Sequence, residues 1–215
     1  MIKENYITNQ NHEEKVLQWK IELKKIRDYK KLNFQIEQSA LLVLDMQKIF
    51  LDSSSHAYIP SSKLILSNIN KLIEFYEKKQ LPIYYTRHIS HLCENDLMRR
   101  WWKSPILVEN VNSALSSDLL IKHGEIIIKN YYSAFFKTKL TEKLHNLNIS
   151  QLVITGVMSH LCCESTAREG FMNNFEIFYV TDGTATYNEL LHKGTMFSLA
   201  HGFAECLTAK DILGD

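Results

Sequence analysis

Glycine and proline are scarce in this chain, seven and three among 215 residues, and no Pro- or Gly-rich linker divides it. Internal repeats and low-complexity segments are also missing, which argues against a repeat array or a string of small modules. No apolar run approaches the length of a transmembrane helix. The first residues, MIKENYITNQNHEEK, lack the apolar stretch and small-residue cleavage site of a secretory signal. The four cysteines, Cys93, Cys162, Cys163 and Cys206, are spaced like neither a zinc knuckle nor a disulfide framework. An excess of charge of one sign is absent too: 25 basic residues face 24 acidic ones. That balance gives no electrostatic reason to expect a nucleic acid or an anionic membrane as partner. A cytoplasmic protein with reduced thiols is the expectation.

What is present suits one globular domain. Hydrophobic residues make up 45% and charged residues 23%, and a chain of this length can bury its own core. Residues 11–31 carry Val16, Leu17, Ile21, Leu23 and Ile26 among many charges. They read as an amphipathic helix with a solvated charged face, within an N-terminal extension over residues 1–38. From Ser39 to residue 215 short apolar runs recur: ALLVLD at 40–45, PIYYT at 82–86, EIIIK at 125–129, QLVITG at 151–156, FEIFYVTD at 175–182 and FAECLT at 203–208. Several are apolar at nearly every position, as parallel strands covered on both faces are. Segments of helical period lie between them, at 61–79, 138–147, 162–173 and 189–200. The alternation predicts an α/β domain with a doubly wound, mainly parallel six-stranded sheet and helices on both faces.

Ligands of such sheets bind outside the carboxyl ends of the strands. The residues there are Asp45, Arg87 and His88, Lys129, the loop from Gly156 to Cys162, and Asp182. An acid, a lysine and a cysteine thereby reach one rim from three strands. Cys162 stands where ESTAREGFM begins a helix, so the helix dipole is expected to lower its pKa and Ser159 to cap the helix. Each residue also has a plain structural reading: a buried cysteine, a turn-capping aspartate, a lysine reaching to solvent. Their convergence favours a nucleophile with a base and an orienting charge.

The strings VLDMQKIF, IIIKNYYSAFFKTKL, ITGVMSHLCCESTAREGF, VTDGTAT and LLHKGTMFSLAHGFA resemble the isochorismatase-like hydrolase superfamily, from about Ser39 to the carboxyl terminus. The resemblance implies a three-layer sandwich and, in the superfamily's cysteine branch, a catalytic triad that falls on Asp45, Lys129 and Cys162. It also implies a cis peptide at Val157–Met158, which turns a backbone N–H toward an oxyanion beside Cys162. Enzymes of the superfamily that cleave isochorismate carry glycine where this chain has Cys162, an aromatic residue at Met158 and glutamine near His88. These departures favour an amidohydrolase acting on a small amide or ureido compound through a thioester. Two other readings stand beside it: a vinyl-ether hydrolase of the isochorismatase type, and a catalytically silent binding module.

Nicotinamidases of the branch hold a metal through an Asp-x-His stretch that here reads TRHISH, so His88 and His91 match it poorly and neither metal nor cofactor is expected. Phe50 and Phe136 are candidates to line an apolar pocket, Arg87 to bind a substrate carboxylate, and His88 and His160 to position substrate. Trp101 and Trp102 either wall the pocket or belong to a homo-oligomer interface.

Overall fold

The computed structural model describes residues 2–30, 32–91, 93 and 95–214. Six strands, β1 (Ser39–Leu44), β2 (Ile83–His88), β3 (Glu125–Lys129), β4 (Gln151–Val157), β5 (Glu176–Ala185) and β6 (Ala204–Leu207), form one parallel sheet in the order β3-β2-β1-β4-β5-β6. The helices are α1 (His12–Ile26), α2 (Lys48–Leu51), α3 (Ser62–Lys78), α4 (Leu97–Trp102), α5 (Leu140–Asn146), α6 (Glu164–Met172), α7 (Glu189–Gly202) and α8 (Ala209–Leu213). The expected α/β architecture is thus present. Among the described residues, no helix is long and apolar enough to cross a membrane.

The strands' uniform apolarity serves two cores at once. Leu41 and Val43 of β1, Val153 of β4, and Phe178 and Val180 of β5 face one layer, built with Ile65, Ile69, Leu72, Ile73 and Tyr76 of α3 and Ile212 of α8. Their neighbours Ala40, Leu42, Leu44, Leu152, Ile154, Ile177 and Tyr179 face the other, built with side chains of α1, α5, α6 and α7. Period-two side-chain alternation puts successive residues into opposite layers. Each large apolar side chain so buried contributes about 1.5–3 kcal/mol. The edge strand β3 departs from the expectation, because Ile126 and Ile128 are half exposed: it lies beyond the reach of the helix layer on that side.

The chain moves outward in one direction from β1 to β3 and in the other from β4 to β6. The order reverses between β1 and β4, where a crevice must open at the strands' carboxyl ends. Close approach there depends on Gly156, paired with Leu44 and held at φ +106°; a Cβ on it would lie 2.1 Å from the Leu44 carbonyl oxygen. Strand β5 runs further than its apolar run, through a register shift opposite Ile154–Gly156. This carries Asp182 away from the rim. Its carboxylate accepts hydrogen bonds from Ala209 N (2.7 Å) and Asn68 Nδ2 (3.1 Å), so it serves the start of α8.

The described residues of the N-terminal extension are built into the molecule. Tyr6, Ile7, Trp19 and Leu23 are buried in the core layer beneath α7. The charged face of α1 is also engaged, through Lys15–Glu189 (2.6 Å), Lys20–Asp211 (2.9 Å) and Glu22–Lys193 (2.6 Å).

Candidate active site

Asp45 follows β1 in the left-handed region, at φ +49°, a conformation aspartate tolerates better than most residues. The Thr86 hydroxyl of β2 holds it from both sides, accepting from the Asp45 backbone N–H (3.1 Å) and donating to Oδ1 (2.6 Å). Oδ2 lies 2.8 Å from Lys129 Nζ, as an ion pair. Gln47 ties the segment after β1 to β2 by accepting from His88 N (2.8 Å) and donating to the His88 and Ser113 carbonyls.

Lys129 does not reach to solvent: its side chain is fully buried. The ammonium has three donors, and they face Asp45, the Tyr131 carbonyl (3.0 Å) and Cys162 Sγ (3.3 Å). Burial alone would push its pKa down. The carboxylate and thiol opposite outweigh that, and the pKa is held above its ordinary value.

Cys162 stands in a π-helical turn, Ser159–Cys163, that links β4 to α6 and follows the cis Val157–Met158 peptide. It is therefore not the first residue of α6, and its pKa is not lowered as the helix-terminus argument predicts. Burial pushes the thiol up to about 12; the Lys129 charge pulls it down and Asp45 pushes it up again. Ser159 does not cap α6 either, because its hydroxyl is bonded to His192 Nδ1 at 2.8 Å. Cys163 is buried, its Sγ facing the Thr155 carbonyl.

Cys162 opens onto a pocket that Phe50, His88, Trp102 and Met158 help to line, as do Tyr132, Leu161, Ile106 and Tyr187. Trp102 Nε1 donates to Tyr132 Oη at 3.0 Å and so closes one wall; Trp101 is 72% exposed. Burial, with the Lys129 charge nearby, pushes the His88 imidazole down to about 4, so it is neutral. Three expected pocket residues lie elsewhere. Arg87 donates to the Ser113 and Val108 carbonyls and to Ser113 Oγ, which spends its guanidinium on the 108–113 loop. Phe136 packs edge-on against Tyr131 and is 44% exposed. His160 Nδ1 pairs with Thr186 Oγ1 at 2.6 Å, behind the thiol's loop.

A metal finds little here. His88 Nδ1 is buried without a hydrogen-bond partner, yet His91 is exposed. Among the described residues no three His, Cys, Asp or Glu side chains cluster to hold an ion. These donors do not fit a metal site.

The family model "Isochorismatase domain" matches residues 39–211. The chain belongs to the isochorismatase family. Within it the chain is 38% identical to nicotinamidase 3 of Arabidopsis thaliana over 172 residues, covering 77% of this chain and 82% of the relative. It is 28% identical to isochorismatase of Bacillus subtilis (strain 168) over 159 residues, covering 73% of this chain and 51% of that one. Its fold is that of a cysteine hydrolase from Pseudomonas syringae pv. phaseolicola 1448A, with a TM-score of 0.80 at 21% identity over 86% of this chain and 94% of the other.

Thr86, Gln47, Tyr132 and Tyr187 are the site residues that sequence reasoning missed. Thr86 ends the apolar run PIYYT, next to Arg87 and His88. The strand-end rule that selected those two applies to it equally.

Proposed function

We propose that this protein is a cysteine-dependent hydrolase that cleaves the C–N bond of a small amide or ureido compound through a thioester. The observation that carries the reading is the buried constellation in which Lys129 Nζ stands 2.8 Å from the Asp45 carboxylate and 3.3 Å from Cys162 Sγ, at the wall of a pocket. Asp45 takes the thiol proton as Sγ bonds to the substrate's carbonyl carbon, and Lys129 stabilises the developing thiolate. Backbone N–H groups of the Val157–Cys162 loop receive the oxyanion. The C–N bond then breaks, and Asp45 returns the proton to the leaving nitrogen. Asp45 next removes a proton from water, whose oxygen attacks the thioester carbonyl; the C–S bond breaks and the proton restores the thiol.

A thiol pushed up to about 12 supports general-base assistance over a preformed thiolate. The aromatic and aliphatic lining favours a small substrate with a flat or apolar body. The 38% identity to a protein named nicotinamidase favours an amide, and nicotinamide is the first compound to assay.

The test is intact-protein mass spectrometry during turnover of a panel of small amides and ureas, with ammonia release measured in parallel. We expect acyl mass on Cys162, and Cys162→Ser to lower turnover at least about a hundredfold while the protein stays folded. Isochorismate cleavage that survives Cys162→Gly, with no adduct from any amide, would overturn the reading in favour of vinyl-ether hydrolysis. No turnover of either class would favour a binding module.

A further inference from the structure

The turn that carries Cys162 is held from behind, and the residues that hold it are backed from outside the family domain. The His192 ring of α7 is fully buried. Its Nε2 lies 3.1 Å from the Thr181 carbonyl, which can only accept, so Nε2 carries the proton and Nδ1 accepts from the Ser159 hydroxyl at 2.8 Å. Ser159 opens the π-helical turn that ends one residue past the thiol. The imidazole packs in a cluster with two aromatic rings of the N-terminal segment, Trp19 at 4.8 Å and Tyr6 at 5.5 Å between centroids, which are 6.3 Å from each other.

A second path runs in parallel. Tyr6 Oη accepts from the Thr186 backbone N–H at 3.1 Å, and the Thr186 hydroxyl pairs with His160 of the same turn at 2.6 Å. Trp19 is in turn held by its indole N–H on Glu189 Oε1 (3.0 Å), a carboxylate that Lys15 pairs at 2.6 Å. The segment also reaches the pocket wall. Glu4 N donates to the Tyr187 carbonyl (2.7 Å), and Lys3 Nζ donates to the His56 carbonyl (2.6 Å) and sits over the Tyr187 ring. Tyr187 and His56 both line the pocket.

These contacts converge on one turn and one wall. Packing alone would have been met by any apolar side chains at positions 6 and 19. Instead the two rings hold a histidine whose free nitrogen is committed to Ser159, and a tyrosine hydroxyl is committed to Thr186. We propose that Tyr6 and Trp19 are positioning residues: through His192 and Thr186 they hold Ser159 and His160, and thereby set the Cys162 thiol against Asp45 and Lys129. The inference rests on Cys162 being the nucleophile. Tyr6 and Trp19 then support the site of a domain whose family model begins at residue 39.

The test uses iodoacetamide, a small primary amide able to enter the pocket, with the exposed Cys93 of the same chain as internal reference. Peptide mapping gives the ratio of alkylation rates, Cys162 over Cys93, for the full-length protein at pH 7. The wild-type ratio is the reference, and labelling at Cys162 is expected to depend on Asp45, which takes the thiol proton as Sγ attacks. Trp19→Ala should lower the ratio about tenfold and Tyr6→Phe, which loses one hydroxyl, about threefold, because small misplacements of reacting groups carry large rate penalties. Trp19→Phe should restore the ratio to within about twofold of wild type, since an aromatic ring still backs His192. Lys20→Ala, which breaks only the Lys20–Asp211 pair on the same helix, should leave it unchanged. Thermal melts accompany each variant, and Tyr6→Phe keeps the test open if Trp19→Ala fails to fold. A ratio that stays at the wild-type value in folded Tyr6→Phe and Trp19→Ala would overturn the inference alone. A wild type whose Cys162 labels no faster than that of an Asp45→Asn variant would overturn the nucleophile assignment, and the inference with it.

Discussion

Lys129 and Asp45 form an ion pair at 2.8 Å with side chains 0% and 1% exposed, and its removal separates what the pair does for folding from what it does for chemistry. At that distance the attraction is about 6 kcal/mol for an effective dielectric constant near 20, offset by several kcal/mol of desolvation for each ion. The pair is thus close to neutral in net stability, whereas either ion alone is costly. Lys129→Met leaves a buried carboxylate and should cost about 3–5 kcal/mol; Asp45→Asn leaves a buried ammonium and should cost a similar amount. Asn retains an oxygen for the Thr86 hydroxyl, which donates to Asp45 at 2.6 Å. The double variant Asp45→Asn, Lys129→Met should therefore recover at least about 2 kcal/mol relative to the sum of the singles. Turnover should recover in none of them, because each lacks the base, the ammonium or both. The assay is urea unfolding of the four proteins at pH 7, analysed as a double-mutant cycle. Additivity within about 0.5 kcal/mol, or a Lys129→Met cost below about 1 kcal/mol, would refute the account of a buried, mutually dependent pair.

Acid should destabilise the protein through His192, whose burial pushes its imidazole down to about 4. The unfolded chain binds that proton nearer pH 6.5, so the contribution is complete above about pH 6.5 and is lost as pH falls toward 4, to the extent of about 3 kcal/mol. In His192→Asn the slope of stability against pH between 6.5 and 4.5 should flatten, and an unchanged slope would contradict the assignment. Gly156→Ala should cost more than about 3 kcal/mol or prevent folding, since its Cβ would lie 2.1 Å from the Leu44 carbonyl oxygen at φ +106°; a melt within a few degrees of wild type would refute the close approach. Arg87→Lys should lower stability by about 1–2 kcal/mol, by removing the fork that binds the 108–113 loop. An effect confined to KM, with unchanged unfolding, would instead return Arg87 to the substrate.

The architecture was legible because it rests on local pattern. Uniformly apolar runs such as SALLVL and QLVITGV can bury both faces only in a sheet covered on both sides, and each run's end marked a residue at the rim. Asp45 and Lys129 stood out for that reason, each a polar group where an apolar strand stops, and Cys162 stood out in the loop between such a strand and the next helix. The same rule misplaced Asp182, since a register shift in β5 is invisible in the residue string. It also offered Arg87 for a substrate, though a strand end says where a side chain begins and leaves open which carbonyls it meets.

The sequence by itself determined the alternation of elements, the parallel sheet and the rim from which the candidate triad comes, because hydrophobic periodicity acts over a few residues. Only the tertiary structure decided how those residues are used. That Lys129 is buried between a carboxylate and a thiol, that burial raises the thiol, and that Tyr6 and Trp19 back the turn around Cys162 all depend on contacts between segments far apart in the chain. Desolvation and ion pairing are properties of the space around a group, and that space is made by residues up to 180 positions away, as Tyr6 and Thr186 are.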